Sequence, residues 1–527
     1  MERIRLSNII KNYGDKKIFE ISNLIIQDKQ KIGIVGKNGI GKSTFLKLIS
    51  GDVKLDSGNI KINGKMSYIK QLDDIGADRK ISGGEKMLQT INLSLQENPD
   101  ILLADEPSSN LDMSNIEYVT KKLKEFNGTL LLISHDRTIL DEVCNYIIEI
   151  ENGEIIEYKG NYSSFKKQKN EKLEREKFEY FQYVKESSRL EQAIVTSRNS
   201  AKAMRKAPKR MGNSEARLHK RESSEIKEKL EGHTKALETR LSHLDKKEKP
   251  LPTYNVYFVT PESSKIKSKN IVSCDDFSLE ISHKQLLQHT KIYIPSNRKT
   301  ALLGKNGIGK TTLIKEILSN NNVFSINPQV KIGYFSQDLS ILDENISILE
   351  NVMLDSIQSE TIVRNVLGNL NIKDNKVYEV VKNLSGGERV KVALAKLLVS
   401  NSNFLILDEP TNFLDIESIE GLEVLIKSYK GTVLLISHDR RFVDNVCDNI
   451  IIFKNKKLVN FDGNYSDYLK YEENKGKNSG LPNDKLLLEF RLTKLDSEIA
   501  LENDSNKKLL LKKEREEILL RLKKLSG

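Results

Sequence analysis

Gly36-Lys37-Asn38-Gly39-Ile40-Gly41-Lys42-Ser43-Thr44 recurs almost letter for letter as Gly304-Lys305-Asn306-Gly307-Ile308-Gly309-Lys310-Thr311-Thr312. Each copy follows a short apolar run of strand character, Ile32 to Val35 and Thr300 to Leu303, and opens a helical pattern. Glycines at this spacing let successive backbone N–H groups turn toward one point, where the N-terminus of the following helix adds positive potential. A phosphate chain fits that point. Lys42 and Lys310 are placed to meet the β- and γ-phosphates, and the hydroxyls of Ser43 and Thr311 to ligate Mg²⁺. One such loop can arise by chance. Two, each in the same strand–loop–helix setting, point to an α/β P-loop fold present twice.

Outward from the loops, three further motifs repeat in the same order. Ser82-Gly83-Gly84-Glu85 returns as Ser385-Gly386-Gly387-Glu388, Asp105-Glu106-Pro107 as Asp408-Glu409-Pro410, and Ser134-His135-Asp136-Arg137 as Ser437-His438-Asp439-Arg440. From Ser82 onward the copies are offset by 303 residues, whereas the loops are offset by only 268. The difference lies in one place: Ser82 follows Gln71 by 11 positions, and Ser385 follows Gln337 by 48. The first copy is therefore expected to lack most of one helical subdomain. Asp105 and Asp408 end apolar strands and are candidate Mg²⁺ ligands, while Glu106 and Glu409 are candidates to polarise an attacking water. His135 and His438 each lie 30 residues after the Asp and are candidate γ-phosphate contacts. Gln71 and Gln337, following Tyr68 and Tyr334, complete the Mg²⁺ and water ligands. Alone, a histidine at a strand end or a glutamine on a loop is more often structural; the repeated order is what makes them sites.

A chain of 527 residues is too long for one core. Its apolar runs have the length of short strands, far below the roughly 20 residues a bilayer span needs. The opening Met1-Glu2-Arg3-Ile4-Arg5 leads into a strand pattern with no signal-peptide character. Cys144, Cys274 and Cys447 are far apart and in no metal-ligand spacing, so they read as reduced core residues of a cytoplasmic protein. Charge is unevenly placed: residues 161–250 hold 24 Lys/Arg against 14 Asp/Glu, which accounts for nearly all of the net +11. A basic excess confined to one segment points to a polyanionic partner met there.

That segment reads as an antiparallel helical hairpin, with helices over 162–197 and 214–246 and a polar turn from Arg198 to Gly212 containing Pro208. A helix of that length projects about 54 Å. Around the tip, Arg198, Lys202, Arg205, Lys206, Lys209, Arg210, Arg217, Lys220 and Arg221 face only Glu215 in charge, a density suited to RNA phosphates. Residues 475–527 read as a second, C-terminal helical hairpin. The expected organisation is a first ATPase domain over 1–160, the basic linker over 161–250, a second ATPase domain over 251–474 and the C-terminal extension.

Phosphate loop, glutamine, Ser-Gly-Gly-Glu, Asp-Glu and His in that order, twice, resemble the ABC ATPases. The resemblance implies a head-to-tail sandwich. One ATP then lies between the Lys42 loop and Ser385-Gly386-Gly387, the other between the Lys310 loop and Ser82-Gly83-Gly84. Tyr13 resembles the aromatic residue that stacks on adenine, and its counterpart in the second half is Ile281. Two such halves on one chain, with a charged helical linker, resemble the ABC-F family over residues 1–470. The family resemblance implies binding to the 70S ribosome's tRNA exit site, with the linker near ribosomal RNA, the P-site tRNA and the peptidyl-transferase centre. Gln71 follows Thr44 by only 27 positions, leaving no room for the arm insertion of housekeeping ABC-F factors. This, the short first helical subdomain, the long tip and the C-terminal hairpin look most like the antibiotic-resistance branch. Its members protect ribosomes against lincosamides, pleuromutilins and group A streptogramins. The implied protein is a cytoplasmic, ribosome-associated, monomeric ATPase using ATP and Mg²⁺, with no membrane partner. An ABC-F factor that relieves stalled ribosomes, and the ATPase subunit of a membrane exporter, are the competing readings.

Overall fold

The apolar runs that end in the repeated motifs form the middle of two matching sheets. Ile101–Asp105 and Thr129–Ile133 are buried at every position, as parallel strands covered on both faces must be. They belong to a six-stranded sheet ordered Met66–Ile69, Ile101–Asp105, Thr129–Ile133, Lys31–Val35, Tyr146–Glu151, Glu154–Lys159. All neighbours are parallel except the last pair, which is a hairpin. The second half repeats the order as Ile332–Phe335, Phe404–Asp408, Thr432–Ile436, Lys299–Leu303, Asn449–Lys454, Lys457–Asp462. In both, the strand that feeds the phosphate loop is central, so the loop emerges beside the carboxyl ends of the Asp-Glu and His strands. The computed structural model describes the chain apart from residues 15, 72–82, 110, 152, 204–212, 250–256, 259–265, 267, 282–283, 320–322, 337–338 and most of 478–527.

A smaller antiparallel sheet, Lys16–Gln27, Glu2–Tyr13 and Ser57–Ile62, covers the first phosphate-loop helix, Lys42–Ser50. Ile4, Leu6, Phe19, Phe45 and Leu46 are fully buried in this shared core. At about 1.5–3 kcal/mol for each such side chain, this core fixes the helix beneath its loop. The second half has the same layer from Asn270–Ile281, Lys284–Pro295 and Ser325–Ile326 over helix Lys310–Ser319.

The halves part company between the glutamine and the Ser-Gly-Gly-Glu motif. The second half inserts helices Ile348–Leu354 and Glu360–Asn369 and two short 3₁₀ turns. Ser347 and Glu350 form a reciprocal capping box at the start of the first of these helices. Val363, Val366 and Leu367 are fully buried in one core with Val392, Ala393 and Leu394 of helix Gly386–Val399. In the first half only residues 70–82 separate strand Met66–Ile69 from helix Gly83–Gln96.

Tyr162–Thr253 forms a unit of its own. Helices Tyr162–Ala203 and Asn213–Ser242 pair through buried Leu190, Ile194, Ser197 and Thr234. Thr234 Oγ1 donates to Ser197 Oγ at 2.9 Å. Ion pairs Arg198–Glu238 (2.7 Å), Arg240–Glu186 (3.1 Å) and Lys247–Glu179 (3.0 Å) lace the edges. The first helix thus runs six residues past its expected end at 197, and the second stops four residues short of 246. Ala201, Lys202 and Ala203 are strong helix formers that carry the first helix onward. Helix Tyr465–Lys477 crosses the expected 474/475 junction. Among the described residues no helix is long and apolar enough to cross a membrane.

Candidate active site

Each phosphate loop is a backbone cradle closed by its own lysine. Gly41 and Gly309 adopt φ of 109° and 104°, a region that suits glycine. A Cβ there would approach Ile18 Cγ2 to 2.6 Å and Leu286 Cδ1 to 2.7 Å. Lys42 Nζ donates to Gly36 O (2.8 Å) and Lys37 O (3.1 Å). Lys310 Nζ does the same to Gly304 O (2.7 Å) and Lys305 O (3.4 Å), and lies 3.2 Å from His438 Nε2. Burial lowers both lysine pKa values, opposed by Glu106, Asp415 and Asp105 at Lys42 and by Glu409, Asp408 and Asp112 at Lys310. Asn38, Gly39, Asn306 and Gly307 are exposed along the loop rims, and Thr44 and Thr312 continue the helices behind Ser43 and Thr311.

Acid and histidine strands end beside these loops. Ser43 hydrogen-bonds Asp105, and Thr311 Oγ1 donates to Asp408 Oδ2 at 2.9 Å. Asp105 Oδ1, Glu106 Oε1 and Glu409 Oε1 are buried without a hydrogen-bond partner among the described residues. Buried acceptors of this kind call for an exogenous cation or water. A hydroxyl beside a carboxylate is also the donor set for Mg²⁺ bound to a nucleotide, so the residues fit Mg-ATP. The two glutamates accept the backbone N–H of His135 (3.2 Å) and His438 (3.4 Å). Their Oε1 atoms lie 3.4 and 3.3 Å from the histidine Nε2 atoms. Burial raises both glutamates to about 7, against the pull of Lys42 and Lys310. It drives His135 down to about 3 and His438 to about 4, so both imidazoles are neutral at pH 7. Glu106 and Glu409 also share a left-handed backbone, φ 49° and 51°, a conformation that non-glycine residues adopt at a cost and that clusters at functional sites.

The two halves face one another across these loops. Asn38 Nδ2 donates to Phe413 O at 2.9 Å. Gly387 lies beside the same carbonyl, which its Cβ would approach to 2.7 Å. Ser385 caps helix Gly386–Val399 in a capping box with Glu388, and Gly386 has open space where a Cβ would point. Reciprocally, Asn306 N donates to Asp112 Oδ2 at 3.5 Å. Gly83, Gly84 and Glu85 open helix Gly83–Gln96; Ser82 lies outside the described residues, as does Gln337, while Gln71 is exposed. Tyr13 and Ile281 occupy matching ends of their hairpins, paired with Lys16 and Lys284. Tyr13 is exposed, with Lys11 Nζ 5.4 Å from the ring centre.

Several residues at this interface escaped the reading of the sequence. Arg137 is buried and pairs with Glu423 of the other half, with Asp439 Oδ2 at 3.7 Å. Its repeat partner Arg440 donates to Met113 O and pairs with the exposed Glu117 at 3.0 Å. Arg441 pairs with Asp141 at 2.8 Å. The signal was available in the recurrence of Arg137 and Arg440 directly after each His-Asp. In the hairpin, Arg198 sits in a helix and is engaged by Glu238 instead of projecting from a turn, because the first helix continues past it. Lys202 is exposed near that helix end. Arg205, Lys206, Lys209 and Arg210 lie outside the described residues, and Arg217, Lys220 and Arg221 fall on helix Asn213–Ser242.

Two phosphate loops, each backed by an acid pair and a histidine and each turned toward the other half, define a tandem ABC-type ATPase. Residues 19–77 and 287–412 match the ABC transporter family, and residues 148–235 match a second family of that description. The "ATP-binding protein Uup" of Buchnera aphidicola is 32% identical over 90% of this chain and 85% of its own length. The "Erythromycin resistance ATP-binding protein MsrA" of Staphylococcus epidermidis is 33% identical over 84% of this chain and 96% of its own. The "Ribosome protection protein VmlR" of Bacillus subtilis is 32% identical over 87% and 88%. The archaeal ribosome recycling factor aABCE1, solved with stalk protein aP1, shares the fold at a TM-score of 0.57 and 18% identity over 86% of this chain and 90% of that chain. This chain belongs to the ABC-F family of ATP-binding proteins, and it is an ATPase.

Proposed function

We propose that this chain is a cytoplasmic ribosome-protecting ATPase of the antibiotic-resistance branch. ATP drawn between the halves closes them onto one another, and the closed form enters the tRNA exit site of the 70S ribosome. The basic hairpin then reaches toward the P-site tRNA and the peptidyl-transferase centre, and a helix of 42 residues extends about 63 Å for that purpose. Lys42 and Lys310 hold the phosphates, with Ser385-Gly386-Gly387 and Ser82-Gly83-Gly84 completing the opposite walls. Glu106 and Glu409 orient and polarise the attacking water, held by the backbone N–H groups of His135 and His438. Ser43, Asp105 and Gln71 in one site, and Thr311, Asp408 and Gln337 in the other, would hold Mg²⁺, which would supply charge neutralisation at the phosphates. Hydrolysis reopens the halves and releases the ribosome. The chain works as a monomer because both halves of each site lie on it.

The observation that carries this reading is similarity along nearly the whole length of MsrA and VmlR, together with a hairpin that holds almost all of the net charge. Expression in a susceptible strain should raise resistance to lincosamides, pleuromutilins or group A streptogramins; erythromycin belongs in the panel because of the MsrA name. Replacing Arg205 to Met211 by a Gly-Ser turn should abolish protection while ATPase activity stays within about twofold, since the turn lies remote in sequence from every nucleotide motif. Full protection by that variant at normal expression would refute the role of the tip. Equal identity to Uup supports a second reading, a factor acting on stalled ribosomes without a drug role. Ribosome co-sedimentation with no change in any susceptibility would select it.

A further inference from the structure

The aspartate that begins the helix after each Asp-Glu motif meets different company in the two halves. Asp415 and Asp112 are equivalent, 303 residues apart, and both cap a helix: Asp415 Oδ1 accepts Ser418 N at 2.9 Å, and Asp112 Oδ1 accepts Asn115 N at 3.0 Å. Their second oxygens diverge. Asp415 Oδ2 is met by Lys391 Nζ at 3.1 Å in a pair whose side chains are only 7% and 4% exposed. Lys391 belongs to helix Gly386–Val399, and the equivalent position of the first half is Leu88. Among the described residues no lysine or arginine pairs with Asp112. Its Oδ2 faces the second phosphate loop instead, 3.5 Å from Asn306 N.

A phosphate loop binds anions with backbone N–H groups. A carboxylate oxygen directed at one of them competes with phosphate and repels it. The charge of Asp112 acts on both Lys310 and His438, the groups at the γ-phosphate end. At the first site the corresponding charge of Asp415 is offset by Lys391, and both act on Lys42 and His135.

We propose that Lys391 and Leu88 are positioning residues that set the two ATP sites to different affinities. Lys391 holds the Asp415 carboxylate off the first loop, whereas Leu88 leaves Asp112 turned onto the second loop as a built-in competitor of the γ-phosphate. The second site therefore takes ATP more weakly than the first and fills last. The inference rests on the presence of two nucleotide sites, one at each loop.

The test uses the full chain with one loop lysine removed, so that each site is read alone with fluorescent ATP and fluorescent ADP. K310A leaves the first site and K42A the second. The K42A chain should bind ATP about threefold to thirtyfold more weakly than the K310A chain, the effect of one unit charge several ångströms from a phosphate at a dielectric between those of bulk water and the protein surface. In the K42A background, L88K should tighten ATP by about that factor, with ADP nearly unchanged. D112N should reproduce this, and L88M should do nothing. Because K391L leaves a buried carboxylate without its cation and can fail to fold, the K391M/D415N pair is the companion at the first site and should leave its affinity within about twofold. Equal ATP affinities of the two single-loop chains would overturn the proposal. So would a parallel shift of ATP and ADP in L88K, or the same shift in L88M. Loss of all ATP binding in both single-loop chains would instead overturn the two-site reading beneath it.

Discussion

The two ATPase halves keep the same six-stranded order and the same loop, acid and histidine geometry, yet they meet each other on unequal terms. The second half carries an inserted helical layer whose buried valines and leucines stiffen helix Gly386–Val399. It also offers Glu423 to the interface, where the first half has Thr120. Arg137 consequently finds a buried carboxylate, while Arg440 makes do with a carbonyl and an exposed one. Sheet geometry serves chemistry that both halves share; what differs is the surface each half shows its neighbour. Both sides of the sandwich carry contacts, but among the described residues the most deeply buried ion pair between the halves, Arg137 with Glu423, has no equivalent on the other side.

The largest effect on this comparison should come from removing the chemistry common to both halves. Glu106→Gln with Glu409→Gln should lower ATP turnover by about 10²–10⁴-fold while leaving binding intact. The variant should accumulate on ribosomes in sucrose gradients and slow growth; turnover at the wild-type rate would show that these are not the catalytic glutamates. Next come the interface arginines. Arg137→Met strands buried Glu423 and should destabilise the joined halves by about 3–5 kcal/mol. Arg440→Met gives up a partly exposed set worth about 1 kcal/mol. Thermal unfolding of the two variants measures the gap, and equal midpoints would erase the asymmetry. Single Glu106→Gln and Glu409→Gln chains should differ several-fold in residual turnover, because each leaves a different site active; matching steady-state rates would count against unequal sites. The smallest effect belongs to the adenine platforms. Ile281→Tyr should tighten nucleotide at the second site by about 1 kcal/mol and Tyr13→Ala loosen it at the first by a similar amount, as stacking on an aromatic face predicts. Calorimetric titration would read both.

The phosphate loops, the acid pairs, the histidines and the doubled sheet were legible because each is a short local pattern that the chain states twice. The shrunken helical layer was legible from one shift in offset. Contacts between the halves were not, since Arg137 and Glu423 stand 286 residues apart and Glu423 has no charged repeat partner to draw attention to it. The extra turns of the first hairpin helix were missed for a different reason. Polar, basic residues after Ser197 read as a turn, but Ala201 and Ala203 favour helix and Glu238 waits across the hairpin for Arg198. Charge density marked a basic segment without showing that Arg198 within it is engaged by Glu238 of its own hairpin.

The left-handed backbone of Glu106 and Glu409 has a consequence for how such a gene ages. Any residue with a side chain holds that conformation at a cost of about 1 kcal/mol, and glycine holds it almost freely. A chance Glu→Gly replacement at either position would therefore recover folding stability while silencing one engine. Mutational drift under selection for abundance alone favours that exchange. Glutamate at both positions of this chain is thus held against the backbone's own preference, and in a descendant with no need for turnover glycine is the replacement that stability would favour at either position.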